Sequence, residues 1–385
     1  MNVLFTCHYH FNTNAGAAGV TWRLGQQYQQ RGHQVDYYSI DHLPARLHPL
    51  FKVAAFPEFV AHRIAAQSQL DVVDASTGDG WLWAVWHQKR SQRPLMIARC
   101  HGLEHIEHEE YCEEVERGNL KFSWKYHLYR GSIRLWEAAI SMRYADLALF
   151  LNQRDRQYAI DRLGVHPDRA QIIANGITQD FLNRPFEPLP QDGTLRIAQI
   201  GTYILRKGVH YGSPALNRIL QRYPQVSVSF LGTECPIEQV YADFDPAVHD
   251  RIQVIPRYPY ETLPNLLQSH QIKLFPTISE GFGVALVEAM ACGLAPITTA
   301  TPGPLEIVRD GHDAIVIPVR DSLAVEQALI RLIENPVDLE RLRRNAYATA
   351  QTYSWSSIAQ TNLALYQKAR DLRGEKHDSI YSTPH

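Results

Sequence analysis

Short apolar, β-rich runs alternate with helix-patterned segments along most of this chain, and the alternation runs through twice. Val3-Leu4-Phe5-Thr6-Cys7 reads as a buried strand, and Asn14 to Gly19 as a glycine-containing loop. Val20 to Gln30 follows with helical spacing, Gly32 gives a C-terminal stop, and Val35-Asp36-Tyr37-Tyr38 is the next strand. Helix-like Glu58 to Gln67, strands at Val72-Val73 and Leu95 to Ala98, strand Asp146 to Leu151, helix Gln153 to Arg162 and strand Gln171 to Ile173 continue the pattern. Strands alternating with helices favour a parallel sheet covered on both faces.

A proline-bearing stretch of low periodicity, 183–193, separates this half from a second that restarts the same grammar. Strands are expected at Leu195 to Ile200, Val226 to Leu231, Ile252 to Ile255, Ile272 to Phe275 and Ala295 to Thr298. Helices are expected up to Tyr223, over Tyr260 to Ser269, and just before Gly293. The reading is an α/β protein of two doubly wound, Rossmann-like domains facing across a cleft. Residues 1–182 form the first domain, 183–193 the linker and 194–356 the second. Ligands of such folds meet the carboxyl ends of the strands. A final helical pattern runs from Ser356 to Arg373, and the polar tail Gly374 to His385 is expected to fray.

Composition narrows the classes. Among 385 residues, 38 Lys and Arg stand against 40 Asp and Glu, a net charge of −2, which argues against a protein-wide basic field for nucleic acid. No apolar run approaches the roughly 20 residues that span a bilayer. Met1 to Phe11 has no basic n-region and reads as a strand rather than a signal peptide. Cys7, Cys100, Cys112, Cys235 and Cys292 are odd in number and contain no C-x-x-C pair, so a disulfide framework is not expected and a reducing cytoplasm is.

The most informative stretch is Ser279-Glu280-Gly281-Phe282-Gly283-Val284-Ala285-Leu286-Val287-Glu288-Ala289-Met290-Ala291-Cys292-Gly293. It follows a strand, and Gly281 and Gly283 allow unusual backbone angles and close ligand approach. A helix starting near Gly283 offers its first free N–H groups to an anion such as phosphate. Glu288 lies about five residues into that helix, roughly 7–8 Å along its axis. The alternative is a glycine-bearing turn with two solvated glutamates. A second set, Gly201-Thr202-Tyr203-Ile204-Leu205-Arg206-Lys207-Gly208, follows the first strand of the second half. Arg offers a planar fork and Lys a point charge, a natural pair for a diphosphate, although a basic pair in a loop is often only solvated.

Together these stretches resemble the family 4 retaining glycosyltransferases of the GT-B fold. The Glu280-x7-Glu288 motif matches that family's signature. Arg206-Lys207-Gly208, Asn175-Gly176-Ile177, Leu231-Gly232-Thr233, the 303–311 stretch and Ser354-Trp355 agree with it. Thr202 stands where many members carry Arg. The resemblance implies a nucleotide-sugar donor, a glycan, lipid or small-molecule acceptor, and a final helix (about 357–373) crossing back onto the first domain; with cations and helix amides in place of a metal clamp, and no D-x-D pair at a strand end, no cofactor or bound metal is expected. It assigns catalysis to Glu280, His101, Arg206 and Lys207. Gly16, Gly19, Arg206, Lys207, Gly281, Phe282, Gly283, Val284 and Glu288 would bind the donor. Glu280 would meet sugar hydroxyls and Glu288 the ribose. A sugar-nucleotide epimerase or phosphorylase of the same architecture is the nearest alternative.

Two further stretches carry rival readings. His101-Gly102-Leu103-Glu104-His105 formally matches H-x-x-E-H, a zinc-hydrolase pattern that needs both histidines on one helix face. Yet His101 follows an apparent strand and Gly102 disfavours helix. The segment 121–136 interleaves Lys121, Lys125, Arg130 and Arg134 with Trp124, Tyr126, Tyr129 and Trp136. It is read either as an amphipathic helix packing its aromatics inward or as peripheral contact with an anionic membrane at the inner face. Gly16-Ala17-Ala18-Gly19 lacks the lysine of a triphosphate P-loop, so ATP hydrolysis is not indicated.

Overall fold

A computed structural model describes residues 1–11, 16–87 and 93–381, with side chains to residue 373. The chain divides into two units, 1–175 together with 355–385, and 176–354. Residues 176–193, expected to close the first domain and link it to the second, therefore count with the second unit.

The first unit holds β1 (Asn2–Cys7), β2 (Gln34–Ser39), β3 (Val72–Ser76), β4 (Leu95–Arg99), β5 (Leu147–Phe150) and β6 (Ala170–Ile172). They form one parallel sheet in the order β2-β1-β3-β4-β5-β6. The second unit holds β7 (Leu195–Ile200), β8 (Val226–Leu231), β9 (Ile252–Ile255), β10 (Ile272–Phe275), β11 (Ala295–Thr299) and β12 (Ile315–Ile317). They are parallel too, in the order β12-β11-β10-β7-β8-β9. β3, β4, β5, β10 and β11 are buried at every position, the pattern of sheets covered on both faces. Leu4, Val73, Met96 and Phe150 pack with Phe56 and Val60 in one core; Ile197, Val228, Phe230 and Leu274 pack with Leu216, Ile219 and Leu329 in the other.

Strand order fixes where ligands can enter. A doubly wound sheet opens a crevice beyond the strand ends where the winding reverses direction. In the first unit that point lies between β1 and β3. In the second, whose strands run 3-2-1-4-5-6 by their own count, it lies between β7 and β10.

Several elements differ from expectation. The helix Gly16–Gln30 begins at Gly16, so Gly16 to Gly19 is its first turn rather than a loop, and Gly19 is buried within it; residues 12–15 lie outside the described residues. The last helix runs Trp355–Tyr381, past the expected end at Arg373; 382–385 lie outside the described residues. It counts with the first unit, where a buried ion pair receives it. Arg99 meets Asp74 at 2.6 Å and also donates to Asn362 at 2.7 Å and Tyr366 at 3.0 Å. A buried charge pair is tolerated when further hydrogen bonds satisfy it, and Asn362 and Tyr366 supply them.

Candidate active site

The second unit's switch point is built from the loops that leave β7 and β10. After β7 a short helical turn, Leu205–Lys207, ends on Gly208 in the left-handed region at φ 73°. A Cβ on Gly208 would fall 1.8 Å from the Pro276 carbonyl oxygen, so only glycine lets the two loops lie this close. Hydrogen bonds then join them. Ile278 N–H and the Thr277 hydroxyl both donate to the Arg206 carbonyl, at 3.0 and 2.9 Å. Thr299, at the end of β11, donates to the Thr277 carbonyl at 2.6 Å.

The result brings Lys207 and Glu280 together. Lys207 Nζ lies 2.5 Å from Glu280 Oε2, and Arg206 Nη1 lies 3.9 Å from the same oxygen. Arg206 also donates to the Ser279 carbonyl at 3.4 Å. Burial opposes the Glu280 charge, but Lys207 and Arg206 outweigh it and hold the carboxyl below its usual range. Burial, with Arg206 beside it, pulls the Lys207 ammonium below the ordinary lysine value against the pull of Glu280. Sequence reasoning gave the cations and Glu280 separate tasks; the structure makes them one ion cluster.

Behind this cluster stands the helix Val284–Ala291, capped by Gly283 at φ 105°. Leu286 and Val287 both donate to the Gly283 carbonyl, so the amides of Val284 and Ala285 precede the helix's own hydrogen-bond ladder. Phe282 is buried, and its backbone is crossed so closely by Gly303 that a Cβ there would lie 2.5 Å from the Phe282 nitrogen. Gly303 N–H donates to the Glu280 carbonyl at 3.0 Å and so braces the loop that carries Glu280. Neither glutamate is solvated. The Glu280 side chain is 14% exposed, and Glu288 is 4% exposed and accepts the Tyr260 hydroxyl at 2.5 Å.

Lys273 escaped the sequence reading. It sits in β10 on the same face as Phe275, fully buried, with no hydrogen-bond partner on Nζ and the ring of Phe275 at 5.2 Å. Lys207 Nζ is 5.3 Å from that same ring. Burial and then Lys207 drive the Lys273 pKa well below the lysine range, against the pull of Glu288 and Glu280. The one available signal was a lysine inside the run Ile272–Phe275.

The first unit's switch point is also charged. His8, just past β1, has Nδ1 2.8 Å from Asp79 Oδ1, just past β3. Arg134 lies 3.5 Å from Asp79, 3.5 Å from Glu104 and 3.6 Å from Glu137. Arg134, read as part of a surface stretch, is thus buried among carboxylates. Burial raises Glu137 to about 7 and lifts Glu104, with Arg134 opposing both. His101 follows β4 with Nε2 unpartnered; burial, then Arg99, lowers its pKa to about 3. His101 precedes the helix Glu104–Glu116 and His105 lies inside it, with Gly102 at φ 140° between them. The H-x-x-E-H pattern therefore does not form on one helix face. Among the described residues no three His, Cys, Asp or Glu gather to hold a metal ion.

Comparison with known proteins agrees with this architecture. The family model for glycosyltransferase family 4 matches residues 14–181, and that for glycosyl transferases group 1 matches 181–349. The chain belongs to glycosyltransferase family 4. This family 4 chain is 23% identical to an MMP α-(1→4)-mannosyltransferase of Mycolicibacterium hassiacum over 94% of its own length and 97% of that enzyme's. It is 26% identical to a D-inositol 3-phosphate glycosyltransferase of Frankia alni, over 56% of its own length. The chain spans about half the length of several curated relatives it matches, 57% of the Frankia enzyme among them. Among solved structures, sucrose-phosphate synthase from Thermosynechococcus elongatus superposes with a TM-score of 0.74 at 18% identity, covering 95% of this chain and 98% of that one. The Anabaena protein HepE in complex with UDP superposes at 0.71 and 17% identity, covering 96% and 100%. The fold is GT-B.

Proposed function

We propose that this protein moves a hexose from a nucleotide-diphosphate sugar to a hydroxyl acceptor, with retention of configuration at the anomeric carbon. The observation that carries the reading is the Arg206–Lys207–Glu280 cluster beside the first amides of the helix Val284–Ala291, at the switch point of a Rossmann-order sheet. Departure of a diphosphate builds negative charge on its oxygens and positive charge on the sugar ring. Preorganised donors at the leaving phosphate stabilise that transition state more than the ground state. Arg206, Lys207 and the amides near Val284 serve the phosphates. When a diphosphate draws Lys207 toward itself, Glu280 is released to the sugar hydroxyls and to the developing positive charge. Glu288, held by Tyr260, takes the ribose. His101, kept neutral by burial, offers an uncharged imidazole to the donor sugar.

HepE has been solved with UDP and with UDP-glucose, so a uridine donor is the first to try. The acceptor class we propose is a glycan or a lipid-linked sugar. Incubation with radiolabelled UDP-, GDP- and ADP-sugars, reading nucleoside diphosphate release with and without added acceptors, tests the assignment. Release that rises with an acceptor and appears with one base supports it. No release from any donor, with or without an acceptor, would overturn it and favour an epimerase, which returns the nucleotide still joined to sugar, or a phosphorylase, which uses phosphate instead.

A further inference from the structure

The aromatic and basic segment of the first unit packs inward only in part: Phe122, Tyr126 and Tyr129 are half-buried, while other large side chains stay in water. Trp124 is 68% exposed, and Leu128, Ile133 and Trp136 are each at least half exposed. They lie on a π-helical stretch, Tyr126–Ile133, and the turns on either side of it. Two other elements join this surface. Tyr129 donates to the Val53 carbonyl at 3.3 Å, which ties the stretch to the helix Pro49–Ala54 and its exposed Leu50 and Phe51. Trp136 meets Trp81 edge-on at 4.9 Å, which ties it to the helix Trp81–His87 and to Trp86, 69% exposed. Large apolar side chains left in water across three touching elements exceed the scattered exposure usual on a soluble surface and mark an interaction site.

The charges around them choose the occupant. Residues 44–57, 81–87 and 118–136 contain Arg46, Lys52, Lys121, Lys125 and Arg130 and no Asp or Glu; carboxylates adjoin the stretch from the helix Glu104–Glu116, whose His108 stacks on Phe122 and Tyr126. Arg134, the remaining cation, is spent internally on Asp79, Glu104 and Glu137. A second copy of this chain laid on the same face would bring cation against cation. An anionic bilayer fits both properties: tryptophans settle at the level of the lipid headgroups, and Lys and Arg bury their stems while their charges meet phosphate. No helix among the described residues is long and apolar enough to cross a membrane, so the contact is peripheral.

The geometry points to a docking face for an anionic membrane surface, made jointly by residues 46–52, 85–86 and 121–136. This inference is independent of the donor assignment. The test uses the full chain and sedimentation with vesicles of phosphatidylcholine, alone or mixed with phosphatidylglycerol. The expected result is binding to the mixed vesicles, weak binding to phosphatidylcholine, and loss as salt is raised. Lys121→Gln, Lys125→Gln and Arg130→Gln together should weaken partitioning about 100-fold, and Trp86→Ser with Trp124→Ser at least about 10-fold. Thermal melts of each variant, matched to the parent, separate lost docking from lost folding. Failure of the parent chain to bind mixed vesicles overturns the proposal, and so does equal binding by parent and variants. A dimer in analytical ultracentrifugation that the tryptophan variant dissolves, without vesicle binding, would assign the face to self-association instead.

Discussion

The two units place charged groups at the same topological position and balance them differently. In the second unit, beyond β7 and β10, Arg206 and Lys207 face one carboxylate, Glu280. In the first unit, beyond β1 and β3, one guanidinium, Arg134, faces Asp79, Glu104 and Glu137. The cluster around Glu280 has cation to spare and is suited to receive an anion. The cluster around Arg134 gathers three carboxylates about one guanidinium and His8, and burial raises the pKa of two of them, Glu104 and Glu137. One architecture therefore carries two different charge arrangements, and the loops at the strand ends supply them.

The strongest way to break this comparison is to remove the carboxylate of the second unit. On the proposed mechanism, in which Glu280 faces a carbon that becomes positive only in the transition state and Glu288 holds the ribose, Glu280→Gln should lower kcat by roughly 10²-fold or more (~2.7 kcal/mol) with a modest change in donor KM. Glu288→Gln should mainly raise donor KM, since it weakens bonds made equally before and during reaction. Steady-state kinetics on both variants, after a folding check, decides; equal changes in the same parameter would end the division of labour.

Next in size is the glycine that lets the second unit's cluster form. Gly208→Ala must push the Pro276 carbonyl away and hold alanine at positive φ, which should cost about 2 kcal/mol and weaken nucleoside diphosphate binding. A melt unchanged from the parent would show that the loops separate freely.

The units should also respond to pH with opposite sign. Lys273 has a folded pKa below its unfolded value, so the unfolded chain binds more protons between the two values and stability rises with pH across that window. Lys273→Met should stabilise the second unit at neutral pH. Its advantage should shrink toward pH 10 with a slope of up to about 1.4 kcal/mol per pH unit. Glu137 runs the other way. With its folded pKa raised from the ordinary 4.5 to about 7, the folded state binds the extra proton, and stability falls as pH rises through that interval. Glu137→Gln should stabilise the first unit by about 1 kcal/mol at pH 8, with the gap closing toward pH 5. All seven tryptophans (22, 81, 83, 86, 124, 136 and 355) lie in the first unit, so tryptophan fluorescence reports its transition and calorimetry supplies the other. Parallel pH trends for the two units would contradict the contrast.

Local elements of the site were legible in the chain. The run Ile272–Phe275, the glycines at 281 and 283, and the helix carrying Glu288 are neighbours in sequence, so propensity and spacing place Glu280 at a strand end. The double α/β alternation was legible for the same reason. One expectation fails and one residue gives no signal. Gly16 to Gly19 looked like a loop because glycine usually interrupts helices, yet tertiary packing carries the helix through Gly19. Lys273 carries no local signal of its burial, because only the covering of this sheet on both faces, a tertiary property, takes it out of water.

What the sequence determined by itself is the grammar: strands, helices, and the chemistry at each strand's carboxyl end. What only the tertiary structure decided is which ends are neighbours. The same alternation yields β2-β1-β3-β4-β5-β6 in one unit and β12-β11-β10-β7-β8-β9 in the other. That choice alone sets Lys207 on Glu280 and His8 on Asp79, residues more than seventy positions apart. Strand order follows from how covering helices pack on both faces of a sheet, a property of the whole core, and no local window of sequence contains it.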